Sequence, residues 1–306
     1  IAIRGAVARD AGRREIVTTV LEHPATEACC ALLRESGCRV TSVACDRDGV
    51  IDARAVSDAI NERTAIVTII HAQNEIGTLQ PIATIAKAAR AHGALMHADA
   101  AQSLGKVPVA VDELGVDCLS IAGHKLYAPK GVGALYVRAG VTLPPLLRGA
   151  GQEHGRRAGT ENVAGIVALG ESCRIAKDYL EQGTDELAEL TTTLLARLKY
   201  RVPGLVAVGE HAPRLPNTLN VLFPEASGRR LLEACPAVLA STGSACHAGS
   251  EAPSAIQLAL GIAPDRALGA VRLSLGRHTT RDEIETAADA LAAAWTMVRE
   301  PARRSA

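Results

Sequence analysis

Through the first half of the chain, short runs rich in β-branched residues alternate with stretches that space Ala and Leu as a helix does. No other feature restricts the fold as much. The strand-like runs fall at 15–19, 39–44, 65–70, 94–97, 117–122 and 133–137, and the helical ones between them at 26–35, 53–61 and 82–92. Such alternation predicts an α/β fold with right-handed crossovers and a largely parallel sheet. Sheets of this kind take ligands beyond the carboxyl ends of their strands. The polar residues that follow each run are therefore the candidates for chemistry.

The texture changes after Leu143-Pro144-Pro145, where a Gly-rich stretch covers 149–159. One long helical segment is expected over 162–199, long enough to link two domains. Strands near 219–223 and 271–274 and helices near 229–234, 254–260 and 281–298 read as a smaller α+β domain. The division expected is a large domain over 1–145 and, over 146–306, a linker helix with a small C-terminal domain. Aromatic residues make up only 2% of the chain against 48% hydrophobic residues, so the core is aliphatic and no stacking platform for single-stranded nucleic acid is expected. The 33 basic and 33 acidic residues cancel, leaving no field to hold a phosphate backbone. No apolar run reaches the roughly 20 residues of a spanning helix, and no secretory leader opens the sequence, so a cytoplasmic protein without a membrane partner is the expectation. The eight cysteines contain no Cys-x-x-Cys pair, which removes the main signature of zinc ribbons and dithiol redox sites. Ile1-Ala2-Ile3 reads like the interior of a folded element, as in a fragment or a processed chain.

Three strand ends carry reactive groups. One run ends in His71-Ala72-Gln73-Asn74-Glu75-Ile76-Gly77, the next in His97-Ala98-Asp99-Ala100-Ala101-Gln102, and the next in Gly123-His124-Lys125. A lysine after a buried strand can lose its proton by desolvation and form an imine with an aldehyde. An aspartate at a neighbouring strand end can keep a pyridine nitrogen protonated, and an amide can hold the ring oxygen. Pyridoxal phosphate requires that set. Each member has a plainer reading: a lone strand-end lysine is usually a solvated charge, His124 could cap a turn, and His97 with Asp99 could start a metal site. No third ligand clusters with that last pair, so no metal is expected.

These motifs, with Arg157-Ala158-Gly159-Thr160, Leu215-Pro216-Asn217, Gly243-Ser244-Ala245-Cys246 and 271–277, resemble the cysteine desulfurase family of class V aminotransferases in order and over nearly the whole chain. The resemblance implies the pyridoxal-phosphate-dependent transferase fold (fold type I), with a mostly parallel, seven-stranded type of sheet in an N-terminally incomplete large domain. It implies that Lys125 carries the cofactor, Asp99 pairs with the pyridine nitrogen and Gln102 with the ring hydroxyl. His23 would stack on the ring and assist proton transfer, His124 would hold the phosphate, and Thr160 would reach the phosphate of a partner subunit's site. Asn74 and Arg272 would hold the substrate carboxylate. Cys246, in a small-residue stretch expected to be a mobile loop, would take the sulfur of L-cysteine as a persulfide and leave L-alanine.

A homodimer and a sulfur-acceptor or scaffold protein are the implied partners, in service of iron–sulfur clusters or thio-cofactors. The chain departs from the family pattern at two places. The family's Gly-Ala-Thr-Glu type of phosphate-binding turn would lie before Ile1, and Ala122 stands where many relatives carry serine, a loss of roughly 1.5–3 kcal/mol if that hydrogen bond is charge-assisted. Three other readings share these residues: a selenocysteine lyase, suggested by 235–240 and Ala245-Cys246-His247; an ordinary aminotransferase; and a truncated fragment that only dimerises or binds an acceptor.

Overall fold

The computed structural model describes residues 1–242 and 252–299. It comprises two compact units, the first of Ile1–Asp46, Val50–Gln73 and Leu79–Gln182, the second of Arg47–Gly49, Asn74–Thr78 and the chain from Gly183 onward.

The first unit is α/β, as the alternation predicts. Its strands are β1 (Glu15–Thr19), β2 (Arg39–Val43), β3 (Thr64–Ile70), β4 (Leu95–Asp99), β5 (Cys118–Ala122) and β6 (Gly133–Val137), in the order β2-β1-β3-β4-β5-β6. The first five run parallel and β6 returns antiparallel to β5. Six strands form this sheet rather than seven: among the described residues of the unit after Val137, only a short 3₁₀ stretch at Gln152–Gly155 precedes the helix that begins at Val163. The helices are α1 (Ala2–Arg9), α2 (Pro24–Glu35), α3 (Ala53–Ala59), α4 (Ile82–Ala91), α5 (Val111–Leu114) and α6 (Val163–Gln182). The opening residues are interior, as their apolar run suggests: Ala2, Ile3, Ala6 and Val7 of α1 pack with Ile16, Cys30, Leu33, Ile66 and Leu95. Every residue of β3 is buried, which is what a central parallel strand covered on both faces demands.

The segment 162–199 is two helices and not one. Gly183, at φ +95°, stands between α6 and α7 (Asp185–Arg201), and acidic Asp185 and Glu186 open the second helix, where the dipole favours them. The compact units divide here rather than at 145, because Leu169, Cys173 and Ala176 of α6 pack against Leu126 and Ala128 of the first unit.

The second unit holds a three-stranded antiparallel sheet of β7 (Val206–Ala207), β8 (Thr218–Leu222) and β9 (Ala270–Ser274) in that order. Besides α7 it contains α8 (Gly228–Glu233), α9 (Ala255–Ala259), α10 (Pro264–Ala267) and α11 (Arg281–Val298). Leu190, Leu194 and Leu198 of α7 meet Leu219, Val271 and Leu273 of the sheet and Ile284, Leu291 and Trp295 of α11. A reciprocal capping box between Thr280 and Glu283 starts α11, and Trp295 Nε1 donates to the carbonyl of Pro224 at 2.8 Å near its end.

Two histidines of the first unit are buried as neutral rings. His97 lies between Thr68 Oγ1 and Ser120 Oγ, each at 2.8 Å, so one hydrogen-bonded chain crosses β3, β4 and β5. His71 Nδ1 meets Ser103 Oγ at 2.9 Å. Burial pushes both rings down from 6.5 to about 4. Between those values the unfolded chain binds the protons that the folded chain refuses, so stability falls as pH falls through that window. Each histidine is expected to remove up to roughly 3 kcal/mol by about pH 4. Urea unfolding followed from about pH 7 to about pH 4.5 should show the decline, and His97→Gln should flatten its share of it.

Candidate active site

Backbone pairing sets the height at which each strand stops. Because β3 and β4 are parallel with Ile70 opposite Asp99, and Asp99 pairs in turn with Ser120 of β5, the residues after these strands emerge on one rim of the first unit. His23 follows β1 on the same rim.

Asp99 ends β4 half-buried. Its Oδ1 accepts the amide of Ala101 at 2.9 Å, while Oδ2 has no hydrogen bond among the described residues. Burial raises its carboxyl above the ordinary range, against the pull of that amide and of His23. A carboxylate in that state is short of a positive partner. A protonated pyridine nitrogen at Oδ2 would supply one.

His23 is exposed and caps α2, its Nδ1 accepting the amide of Ala25 at 3.1 Å. That bond uses the Nδ1 lone pair and leaves a neutral ring's proton on Nε2. The helix N-terminus therefore fixes which nitrogen is available for proton transfer.

Lys125 closes the one-turn 3₁₀ helix Gly123–Lys125 directly after β5. Gly123 is tied through its amide to the carbonyl of Val132 at 3.0 Å, and a Cβ there would lie 2.8 Å from that oxygen, so the turn requires glycine. Leu126 is buried beneath and anchors the turn, while Lys125 and His124 stay exposed. Gln102 is half-buried in the turn after β4, and its Oε1 accepts from Lys106 Nζ at 3.2 Å. Thr160 lies in the exposed irregular stretch before α6.

Asn74 and Arg272 belong to the second unit, so the strand-end segment after β3 is shared: His71 to Gln73 stay with the sheet and Asn74–Thr78 do not. The expected pair is joined directly, Arg272 Nη1 donating to the Asn74 carbonyl at 3.0 Å. Asn74 Oδ1 is buried without a partner among the described residues, an acceptor left for a ligand's donor. Glu75 next to it takes the Ser254 hydroxyl at 2.6 Å and its carbonyl takes Asn220 Nδ2 at 3.1 Å. Gly77, at φ +82°, brings this segment against Thr218, where a Cβ would sit 3.0 Å from the Thr218 Cβ. Cys246 falls at a position outside the described residues.

Two residues of this rim escape a reading of strand-end motifs. Lys106 is one, with Gln102 four positions before it as the only available signal. Glu22 is the other. It is 2% exposed; Oε1 accepts from Thr19 Oγ1 at 2.7 Å and from the Ile70 amide at 3.1 Å, and Oε2 is unpartnered among the described residues. Burial raises its pKa from 4.5 to about 8, with nearby Asp99 contributing. At neutral pH Glu22 is therefore largely an uncharged acid and does not compete with Asp99 for a cation. The unfolded chain releases this proton first as pH rises, so Glu22 costs stability progressively from pH 4.5 to about 8. Glu22→Gln should gain on the parent across that window, by on the order of 4 kcal/mol at most. Unfolding free energies of both chains at about pH 5 and about pH 8 measure it.

The family profile for class-V aminotransferases matches residues 2–286. A cysteine desulfurase of Klebsiella pneumoniae is 43% identical over 275 residues, which cover 89% of this chain and 69% of that one. The cysteine desulfurase NifS of Azotobacter vinelandii is 41% identical over 286 residues, 93% of this chain and 71% of its own. Among solved structures, a NifS-like protein superposes with a TM-score of 0.89 at 30% identity, over 97% of this chain and 79% of that one. SspA in complex with cysteine matches at a TM-score of 0.77 and 32% identity, over 91% of this chain and 78% of its own.

Proposed function

The chain belongs to the class-V aminotransferases, and within them to the pyridoxal-phosphate-dependent cysteine desulfurases; from that premise we propose the part each residue plays. The observation that carries the assignment is the delivery of Asp99, Gln102 and Lys125 by the adjacent strands β4 and β5, with Asp99 Oδ2 short of a cation. The donor set fits the cofactor. Asp99 would hold the pyridine nitrogen, Gln102 the ring oxygen and Lys125 the aldehyde carbon. His124 would hold phosphate oxygens, Thr160 would reach the phosphate of a partner subunit's site, and the exposed imidazole of His23 would lie against the ring.

Bound pyridoxal phosphate supplies an electron sink conjugated to the substrate Cα. The substrate is L-cysteine. The Arg272 guanidinium and the Asn74 side-chain amide would hold its carboxylate. Lys125 Nζ, as a free amine, would take the Cα proton and return one to the product. The His23 ring assists proton transfer at the substrate, with its Nε2–H as a donor while Nδ1 accepts the Ala25 amide. The Cys246 thiolate attacks the substrate sulfur, so an S–S bond forms as the C–S bond breaks. Alanine leaves and Cys246 keeps a persulfide, which balances cysteine and thiol against alanine and persulfide. A sulfur-acceptor protein for iron–sulfur cluster or thio-cofactor assembly then takes that sulfur.

A homodimer is part of the proposal. Val163, Ile166 and Val167 line one stripe of α6 at 66%, 45% and 66% exposure, and Leu147 is 50% exposed. An apolar stripe of this kind on the helix that follows Thr160 is what a second copy would cover.

Lys125→Ala should abolish the visible absorption of bound cofactor and reduce alanine formation at least about 100-fold, as loss of a proton-transfer group does. Cys246→Ala should keep the absorption and lose sulfide release; sulfide release undiminished in that variant would reject the sulfur role. Val167→Glu should convert the parent's dimer to monomer in light scattering behind gel filtration, and a monomeric parent would reject the dimer.

A further inference from the structure

The turn after β4 contains a charge that the reaction as laid out above does not use. Lys106 Nζ donates to the Gln102 carbonyl at 2.8 Å and to Gln102 Oε1 at 3.2 Å, clamping backbone and side chain of one residue together. The clamp rests on a built support. Ser103, fully buried, takes the amides of Lys106 and Val107 on its carbonyl at 3.0 and 3.1 Å and is tied to His71 through its hydroxyl. Gly105, at φ +77°, brings the turn against the residue after Lys125; a Cβ there would lie 2.6 Å from Leu126 Cδ2 and 3.0 Å from Ala176 Cβ. Burial, and then the charge of Lys125, bring Lys106 down from 10.5 to about 8, which leaves it an ammonium at neutral pH.

An ammonium has three donors and no acceptor. It therefore decides which way the Gln102 amide faces: the oxygen must lie toward Lys106, and Nε2, which has no partner among the described residues, must face away from it. Without the ammonium the amide could turn over and present an acceptor to the same ligand, a repulsion instead of a hydrogen bond. We infer that Lys106 is a positioning residue, holding Gln102 so that its Nε2 donates to an electron-rich ring oxygen, which on the assignment above is the cofactor's phenolic oxygen. The same ammonium puts a second positive charge beside Lys125, the amine that must bind the aldehyde.

The test has one arm without cofactor and one with it. In the ¹⁵N-labelled parent chain, the Gln102 side-chain amide signals, assigned through their loss in Gln102→Leu, should stand apart from those of mobile glutamines. They should collapse onto them in Lys106→Met. Pyridoxal phosphate is then titrated into the parent, Lys106→Met, Gln102→Leu and the double variant and followed by visible absorbance. Each single change should weaken binding about ten-fold, and the double variant should be no weaker than either, because Lys106 acts through Gln102. Losses that add to about a hundred-fold, or an unaltered amide signal and affinity in Lys106→Met, would overturn the inference.

One measurement needs no variant and survives a misfolded Lys106→Met: loading the parent with pyridoxal phosphate should shift the Gln102 amide protons, and signals that do not move sink the idea. A parent chain that takes up no pyridoxal phosphate instead rejects the cofactor assignment, and with it the ring oxygen as Gln102's partner. A coloured parent without coupling rejects only the role of Lys106.

Discussion

The ladder of backbone hydrogen bonds that places β3 between β1 and β4 is the constraint from which the candidate site follows. Parallel register ties Ile16 to Ile66, Ile66 to Leu95 and Ile70 to Asp99, so the depth of one strand end dictates the others. A shift of one residue in β4 would turn Asp99 to the other face and bury its neighbour Ala98 where a carboxylate is needed. The seven buried side chains of β3 oppose such a shift, since each position is packed on one face or the other. Apolar burial thus sets the position of polar groups that contribute nothing to it.

The first unit also shows how a site with several titratable groups avoids accumulating charge. His71 and His97 are held neutral by burial, and Glu22 is held neutral by burial, with the charges of Asp99 and Glu27 adding to it, against two hydrogen bonds. Asp99, Lys106 and Lys125 are among the groups that can carry charge near the rim. The arrangement lowers the stability of the chain at acid pH through the histidines and at alkaline pH through Glu22.

In the second unit the short segment Asn74–Thr78 is held as firmly as a strand although it forms none. Asn220, Ser254 and Arg272 reach it from separate elements, Arg214 Nη2 reaches the Ile76 carbonyl at 3.4 Å, and the Leu215 amide reaches Gly77 at 2.8 Å. The result is a direct link between Asn74 and Arg272, positions about 200 residues apart, the pair proposed for the substrate carboxylate.

The sequence by itself determined the class of fold and the succession of β1 to β6 along the chain, and it named the candidate strand ends, because hydrophobic periodicity and residue type are local signals. Recognition of Lys125, Asp99 and Gln102 as one set needed only their residue types and their places after successive strands. The break at Gly183 was legible in principle, a glycine before two acidic residues, yet continuous helical spacing on both sides concealed it. What only the tertiary structure decided lies in burial and in contacts between distant residues. No periodicity announces that Glu22 is neutral, that His23 spends Nδ1 on a helix cap, that Asn74 leaves the sheet's unit at Gln73, or that Lys106 turns the Gln102 amide. Each of these depends on desolvation or on a hydrogen bond whose partner's position is fixed by packing, and neither quantity exists until the chain has folded.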